Sequence, residues 1–219
     1  MKPHFVGVDI AGAENTWVAA LAPFAQGLAI SLVPKQATPA GILELLDAKE
    51  ATAVAIDGQL SLAFSDANGF RSSDRELREL LPPECRVWVA SANSLMAVPL
   101  RARLLADAVA PLVGTILETH PRASLYLGLG PEFLPDLKEY KRSPQAAARL
   151  SIGWSAAFGI VGGYVAPSDG ALDALVCATV AFCFHGAPDR LRYLRHSAND
   201  RQGRGPFVVA YRASSCGDA

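Results

Sequence analysis

The chain has 219 residues, 51% of them hydrophobic and 19% charged, with 20 basic and 21 acidic side chains and a formal charge of -1. That is too apolar for a disordered chain and long enough to bury one substantial core, and the charge balance gives no global basic field to attract nucleic acid. Cys85, Cys177, Cys183 and Cys216 form no Cys-x-x-Cys pair and no zinc-ligand spacing, so free thiols in a reducing cytoplasm are expected.

Phe5 to Ile10 is a short β-branched run stopped by Ala11-Gly12, and Thr16 to Leu21 and Leu28 to Val33 follow as strands around a turn at Pro23 to Gly27. Thr38-Pro39 supplies an N-cap and a first-turn proline, and Ile42, Leu45 and Leu46 mark one apolar helix face. Ala51 to Ile56 is apolar on both faces and ends at Asp57, as in a strand covered by helices on both sides. Ser73 and Glu76 fit a capping box opening a short helix that Pro82-Pro83 stops. Val87-Trp88-Val89 reads as a strand, Arg101 to Ala110 as a helix, and Val113 to Leu117 as a buried strand ending on Glu118. Ser143-Pro144 opens an alanine-rich helix, and Ser168 caps a last long helix from Asp169 to about Phe184, closed by Gly186. Phe207 to Tyr211 is a final strand.

Leu150 to Ser168 carries no charge, but its four glycines, three serines and Pro167 suit a buried core segment and not a membrane span. The residues before Phe5 contain no secretory h-region, so a cytoplasmic protein without membrane association is expected. With no internal repeat and no low-complexity linker, one α/β domain is the economical architecture.

Three expected buried strands each finish with a carboxylate: Asp9, Asp57 and Glu118. Ligands of helix-covered sheets sit at the carboxyl ends of strands, so these acids should share a rim. Asp169 and Asp173, four apart, lie on one face of the last helix and would add to it. Carboxylates gathered so closely call for protons or a cation, and hard oxygen donors suit Mg2+ or Mn2+ acting on a phosphodiester. The plainer reading gives such acids caps and turns to form.

The blocks GVDIAGAENTWVA near the start, AIDGQLSL at 55–62, RSSDRELREL at 71–80, LETHPRASL at 117–125 and SDGALDALVCATVAFCF at 168–184 occur in an order that resembles the "domain of unknown function 429" family, described as predicted nucleases of RNase H-like fold. The resemblance implies a central mixed sheet, its first three strands antiparallel, flanked by helices. It implies catalytic and metal-binding roles for Asp9, Asp57 and Asp173 or Asp169, with Glu118 as a fourth ligand or a partner to one. Arg71, Asp74 and Arg75 match the family's Arg-x-x-Asp-Arg block, which makes Arg71 and Arg75 candidates for substrate contact, Arg75 at a phosphate. Gly58-Gln59-Leu60 stands where the family often carries proline.

His120 is either a substrate-side acid/base or a satisfied histidine in its Thr-His-Pro turn. Trp17, Trp88 and Trp154 read as core. Arg190, Arg192, Arg195, His196, Arg201 and Arg204 suit either a phosphate backbone or a solvated loop shared with Asp189 and Asp200. The expected activity is metal-dependent phosphodiester hydrolysis, with DNA or RNA as the partner. The alternatives are a non-catalytic binding or scaffold module of the same fold and a nucleotide phosphohydrolase of the actin-like superfamily, which the Gly-x-Asp-x-x-Gly turn at 7–12 also resembles.

Overall fold

In the first strand, Phe5 and Gly7 face one side while Val6, Val8 and Ile10 face the other, and both sides are buried. This period-two alternation decides which acids can meet. The computed structural model describes residues 4–212, apart from 13, 26, 64–65, 96, 196–199 and 202. His196 and Cys216 therefore lie outside the described residues.

The chain opens with β1 (His4–Asp9), β2 (Trp17–Phe24) and β3 (Gly27–Gln36), which run antiparallel in turn. Helix α1 (Pro39–Lys49) follows, and Thr38 caps it as expected, its hydroxyl accepting from the Gly41 N–H at 3.2 Å. β4 (Ala51–Asp57) and β6 (Thr115–Thr119) add parallel to β1, and β7 (Ile160–Val161) adds parallel to β3. The six-stranded order is β6-β4-β1-β2-β3-β7.

Helices cover both faces. Ile42 and Leu46 of α1, with Ala102, Leu105, Ala106 and Val109 of α3 (Val98–Val109), pack on the Val6/Val8/Val54/Ile56 side. The opposite side carries α4 (Pro121–Leu129), α5 (Leu134–Glu139), α6 (Pro144–Phe158) and α7 (Asp169–Gly186). Ser168 caps α7 as expected, its hydroxyl accepting from Ala171 at 3.3 Å. At Gly7, an added Cβ would lie 2.1 Å from the Ala178 nitrogen and 2.2 Å from the Ala174 oxygen. Only hydrogen at that position lets the helix backbone rest directly on the strand. Two short pairs complete the fold: β5 (Leu62–Ala63) with β9 (Asp200–Arg201), and β8 (Leu191–Tyr193) with β10 (Val208–Ala210).

Several local expectations change. Val87-Trp88-Val89 is not a strand: Pro83–Trp88 forms a 3-10 turn, since the prolines that stop the preceding helix also start a tight turn. That preceding helix, α2 (Ser72–Leu80), has Arg71 and not Ser73 at its N-cap, and Asp74 in place of Glu76 accepts from the Arg71 backbone N–H at 2.9 Å. The arginine-rich stretch is partly ordered as β8, with Arg192 paired to Glu76 at 3.1 Å. The uncharged stretch from Leu150 resolves into the end of α6 and β7. Among the described residues one helix, α7, is long and apolar enough to cross a membrane, and it is mostly buried in the core. Cys85, Cys177 and Cys183 are free and buried.

Candidate metal centre

Parallel pairing aligns Asp9 with Asp57 and Asp57 with Thr119 across β1, β4 and β6. All three residues share the parity of Phe5, Ala53, Ala55 and Leu117, the side on which α7 lies. Asp173, one turn into α7, thus lies over the ends of β1 and β4. One carboxylate oxygen from each of Asp9, Asp57 and Asp173 lies within 4.8 Å of the others.

Burial, then the charges of Asp173 and Asp57, push Asp9 well above the ordinary carboxylate range, against the opposing pull of Lys141. Burial, then Asp173, push Asp57 up to about 7, with Lys141 again opposing. The ammonium of Lys141, in the loop between α5 and α6, forms an ion pair with Asp173 and lies 3.5 Å from Asp169. Burial alone would lower the lysine's pKa, but Asp173, Tyr140 and Asp9 raise it overall. The Tyr140 hydroxyl donates to Asp173 at 3.1 Å, fixing that carboxylate from a second side. With all three acids ionised, one ammonium would leave two negative charges uncompensated, and the raised pKa values of Asp9 and Asp57 are the response to that. Hard oxygen donors under such mutual repulsion could hold a metal ion in place of protons.

Glu118 is not in this group, a correction to its expected place as a ligand. It stands one residue before Thr119, and alternation turns it to the opposite face of the sheet. There it meets Arg71, which is 1% exposed. Arg71 Nη2 donates to Glu118 Oε1 at 2.5 Å and to Asp74 Oδ1 at 2.6 Å, and Nη1 donates to Glu118 Oε2 and the Ser61 hydroxyl at 2.8 and 2.9 Å. Nε donates to Asp74 Oδ2 at 3.1 Å, so all five guanidinium hydrogens are used. Arg71 therefore has no guanidinium hydrogen left over for a substrate. With the Leu60 N–H donating to Glu118 Oε2 at 2.8 Å, this buried cluster ties the loop leaving Asp57 to β6 and α2. Gly58 in that loop meets α3 closely, since a Cβ there would lie 2.6 Å from Ala102 Cβ.

The other candidates also settle into place. Asp169 sits at the partly exposed start of α7, outside the triad, against Lys141. Arg75 is exposed, pairs with Asp66 and lies 5.7 Å over the Phe70 ring. His120 caps α4: its Nδ1 accepts from Ala123 N–H at 3.3 Å and its Nε2 donates to the Trp88 carbonyl at 3.1 Å. Burial pushes its pKa down, so the ring is the satisfied, neutral histidine of the Thr-His-Pro turn. Lys141, Tyr140 and Thr119 carry no motif that marks them; only strand parity counted from Leu117 places Thr119 beside the acids.

Fold and site together define a mixed α/β protein, its central sheet flanked by helices, with a buried carboxylate triad at the carboxyl edge of adjacent strands. Residues 7–196 match the family described as "Protein of unknown function (DUF429)", and the chain belongs to that family. No curated protein and no solved structure matches it.

Proposed function

We propose that the chain is a divalent-metal-dependent nuclease or phosphodiesterase of RNase H-like fold, with Asp9, Asp57 and Asp173 as the residues that hold Mg2+ or Mn2+. The observation that carries this reading is the convergence of those three buried carboxylates within 4.8 Å. The fold assignment is supported by the antiparallel β1–β3, by β4 and β6 running parallel to β1, and by acids on the first strand, the fourth strand and the last helix. A divalent cation held there supplies charge neutralisation at a phosphodiester and a lowered pKa for an attacking water.

The chain's own residues build the setting for that chemistry. Asp9 and Asp57 come from adjacent parallel strands, which fixes their spacing by backbone hydrogen bonds. Tyr140 and Lys141 hold Asp173 in one orientation, and Lys141 stands as the cation nearest the site. The Arg71–Glu118–Asp74 cluster keeps the loop after Asp57 from drifting. The substrate class is nucleic acid and the compartment the cytoplasm.

The test is a thermal-shift titration with Mn2+ and Mg2+ on wild type and Asp9→Asn, followed by cleavage assays on single- and double-stranded DNA and RNA. Saturable stabilisation lost in the variant, with metal-dependent cleavage, is expected. Lys141 favours one second reading, in which its ion pairs with Asp173 and Asp169 serve as the permanent counter-charge of a non-catalytic binding module. In that case neither metal shifts the melting temperature and no substrate is cut.

A further inference from the structure

Beside the triad lies a cavity of about 210 Å3, whose wall includes Asp57 and Asp173. Its other polar groups are mostly committed within the fold. Arg71 and Glu118 bond one another, His120 uses both ring nitrogens, and the Tyr140 hydroxyl is held by Asp173. Two residues of the wall each carry a buried oxygen that has no hydrogen-bond partner: Gln59 Oε1 and Thr119 Oγ1. Gln59 is 5% exposed and Thr119 2%.

The orientation of Gln59 is dictated by its neighbours. Its amide nitrogen faces Asp74 Oδ2 at 3.4 Å and the Ala90 carbonyl at 3.2 Å, both acceptors, so the nitrogen must stay there and the oxygen must point away. A buried acceptor without a donor is costly, and two such atoms on residues that line one cavity beside the acids mark a place where a ligand can complete the bonding. The complement of Gln59 Oε1 is an N–H or O–H donor, and Thr119 can either give or take. Trp88, Tyr140 and Phe207 add aromatic surface to the same wall. At about 210 Å3 the space falls below the roughly 300–1,000 Å3 of drug-sized sites and holds one ring-sized group, not a whole nucleotide.

We propose that this cavity is a nucleobase subsite, in which a base bearing an amino or imino N–H donates to Gln59 Oε1, bonds Thr119 Oγ1 and lies against the aromatic wall while its phosphate stands at the acids. The identity of the ligand rests on the phosphodiesterase reading above. A base can enter only when unstacked, so the substrate is single-stranded or has its nucleotide extruded at the cut site. Thr119 stands in register with Asp57 and, through it, with Asp9, which places the subsite beside those acids.

The experiment titrates cytidine, adenosine and ribose into metal-free protein, reading tryptophan fluorescence and melting temperature. Wild type, Thr119→Val and Asp9→Asn are compared. The nucleosides should bind saturably and ribose should not. Thr119→Val should weaken binding roughly five- to tenfold, the worth of one hydrogen bond, yet melt no lower than wild type, because the hydroxyl it removes has no partner in the fold. A cytidine dimethylated on its amino group, and so without that donor, should show a similar loss. Asp9→Asn should bind nucleoside as wild type does. Absence of nucleoside binding, or binding indifferent to both Thr119→Val and dimethylation, overturns the subsite. Nucleoside binding without any Mn2+ binding by the triad sustains the subsite and overturns the nuclease reading alone.

Discussion

Glu118→Gln separates a structural carboxylate from a metal ligand. Both oxygens of Glu118 are bound by Arg71, at 2.5 and 2.8 Å, and Oε2 also accepts from Leu60 N–H at 2.8 Å. Glutamine keeps the shape, but its amide NH2 must replace one oxygen and then faces a guanidinium or a backbone N–H, donor against donor. The guanidinium, 1% exposed, would keep only the Asp74 charge beside it. Removing one partner of a buried pair costs about 3–5 kcal/mol, and the surviving amide acceptor places this change near 3. For a domain of this size that lowers the melting temperature by about 6–12 °C, at roughly 2–4 °C per kcal/mol. Urea denaturation measures the loss, and Mn2+ titration of the folded variant should give wild-type affinity, because Glu118 is not one of the three converging carboxylates. A variant as stable as wild type that no longer binds Mn2+ would refute this and restore Glu118 to the metal shell.

Asp57→Asn should stabilise the metal-free protein. Its folded pKa of about 7 lies above the ordinary 3.8, so the stability tied to its proton is complete below 3.8 and lost as pH rises through 7. Asparagine should therefore gain about 2 kcal/mol above pH 7, part of what that interval sets at 1.36 kcal/mol per unit, and nothing near 3.8; a pH series of thermal melts shows whether the gain fades on acidification. Lys141→Met removes the resident counter-charge, so metal-free stability should fall by about 1–2 kcal/mol, the buried-pair cost reduced by solvent at the part-exposed lysine, while Mn2+ affinity rises; unchanged affinity by calorimetry would show that the lysine does not face the cation's place. Gly7→Ala forces a methyl to within 2.1 Å of the Ala178 nitrogen. The variant should lose about 1–3 kcal/mol or more and bind Mn2+ less well, as α7 lifts Asp173 from Asp9; an unaltered melt and titration would contradict that close approach.

Much of the fold was legible locally. Thr38 and Ser168 announce their helices, the apolar runs ending at Asp9 and Asp57 announce buried strands, and the uncharged stretch from Leu150 announces a core segment. These follow from capping chemistry and hydrophobic periodicity, which act within a few residues. Misreadings fell where two local signals compete. Pro82-Pro83 stops one helix and starts a 3-10 turn, so β-branched and aromatic residues at 87–89 never reach a sheet.

The sequence by itself determined which acids end strands, and that Asp169 and Asp173 share a helix face. It did not determine which acids meet. That depended on strand register, which aligns Asp9, Asp57 and Thr119 and turns Glu118 to the opposite face, and on the contact of α7 with Gly7, which brings in Asp173 and leaves Asp169 at the rim. Lys141 and Tyr140 join the site from a distant part of the chain with no motif to announce them. Local propensity is a property of neighbours along the chain. Electrostatic convergence is a property of neighbours in space, and only packing of helices on the twisted sheet decides those.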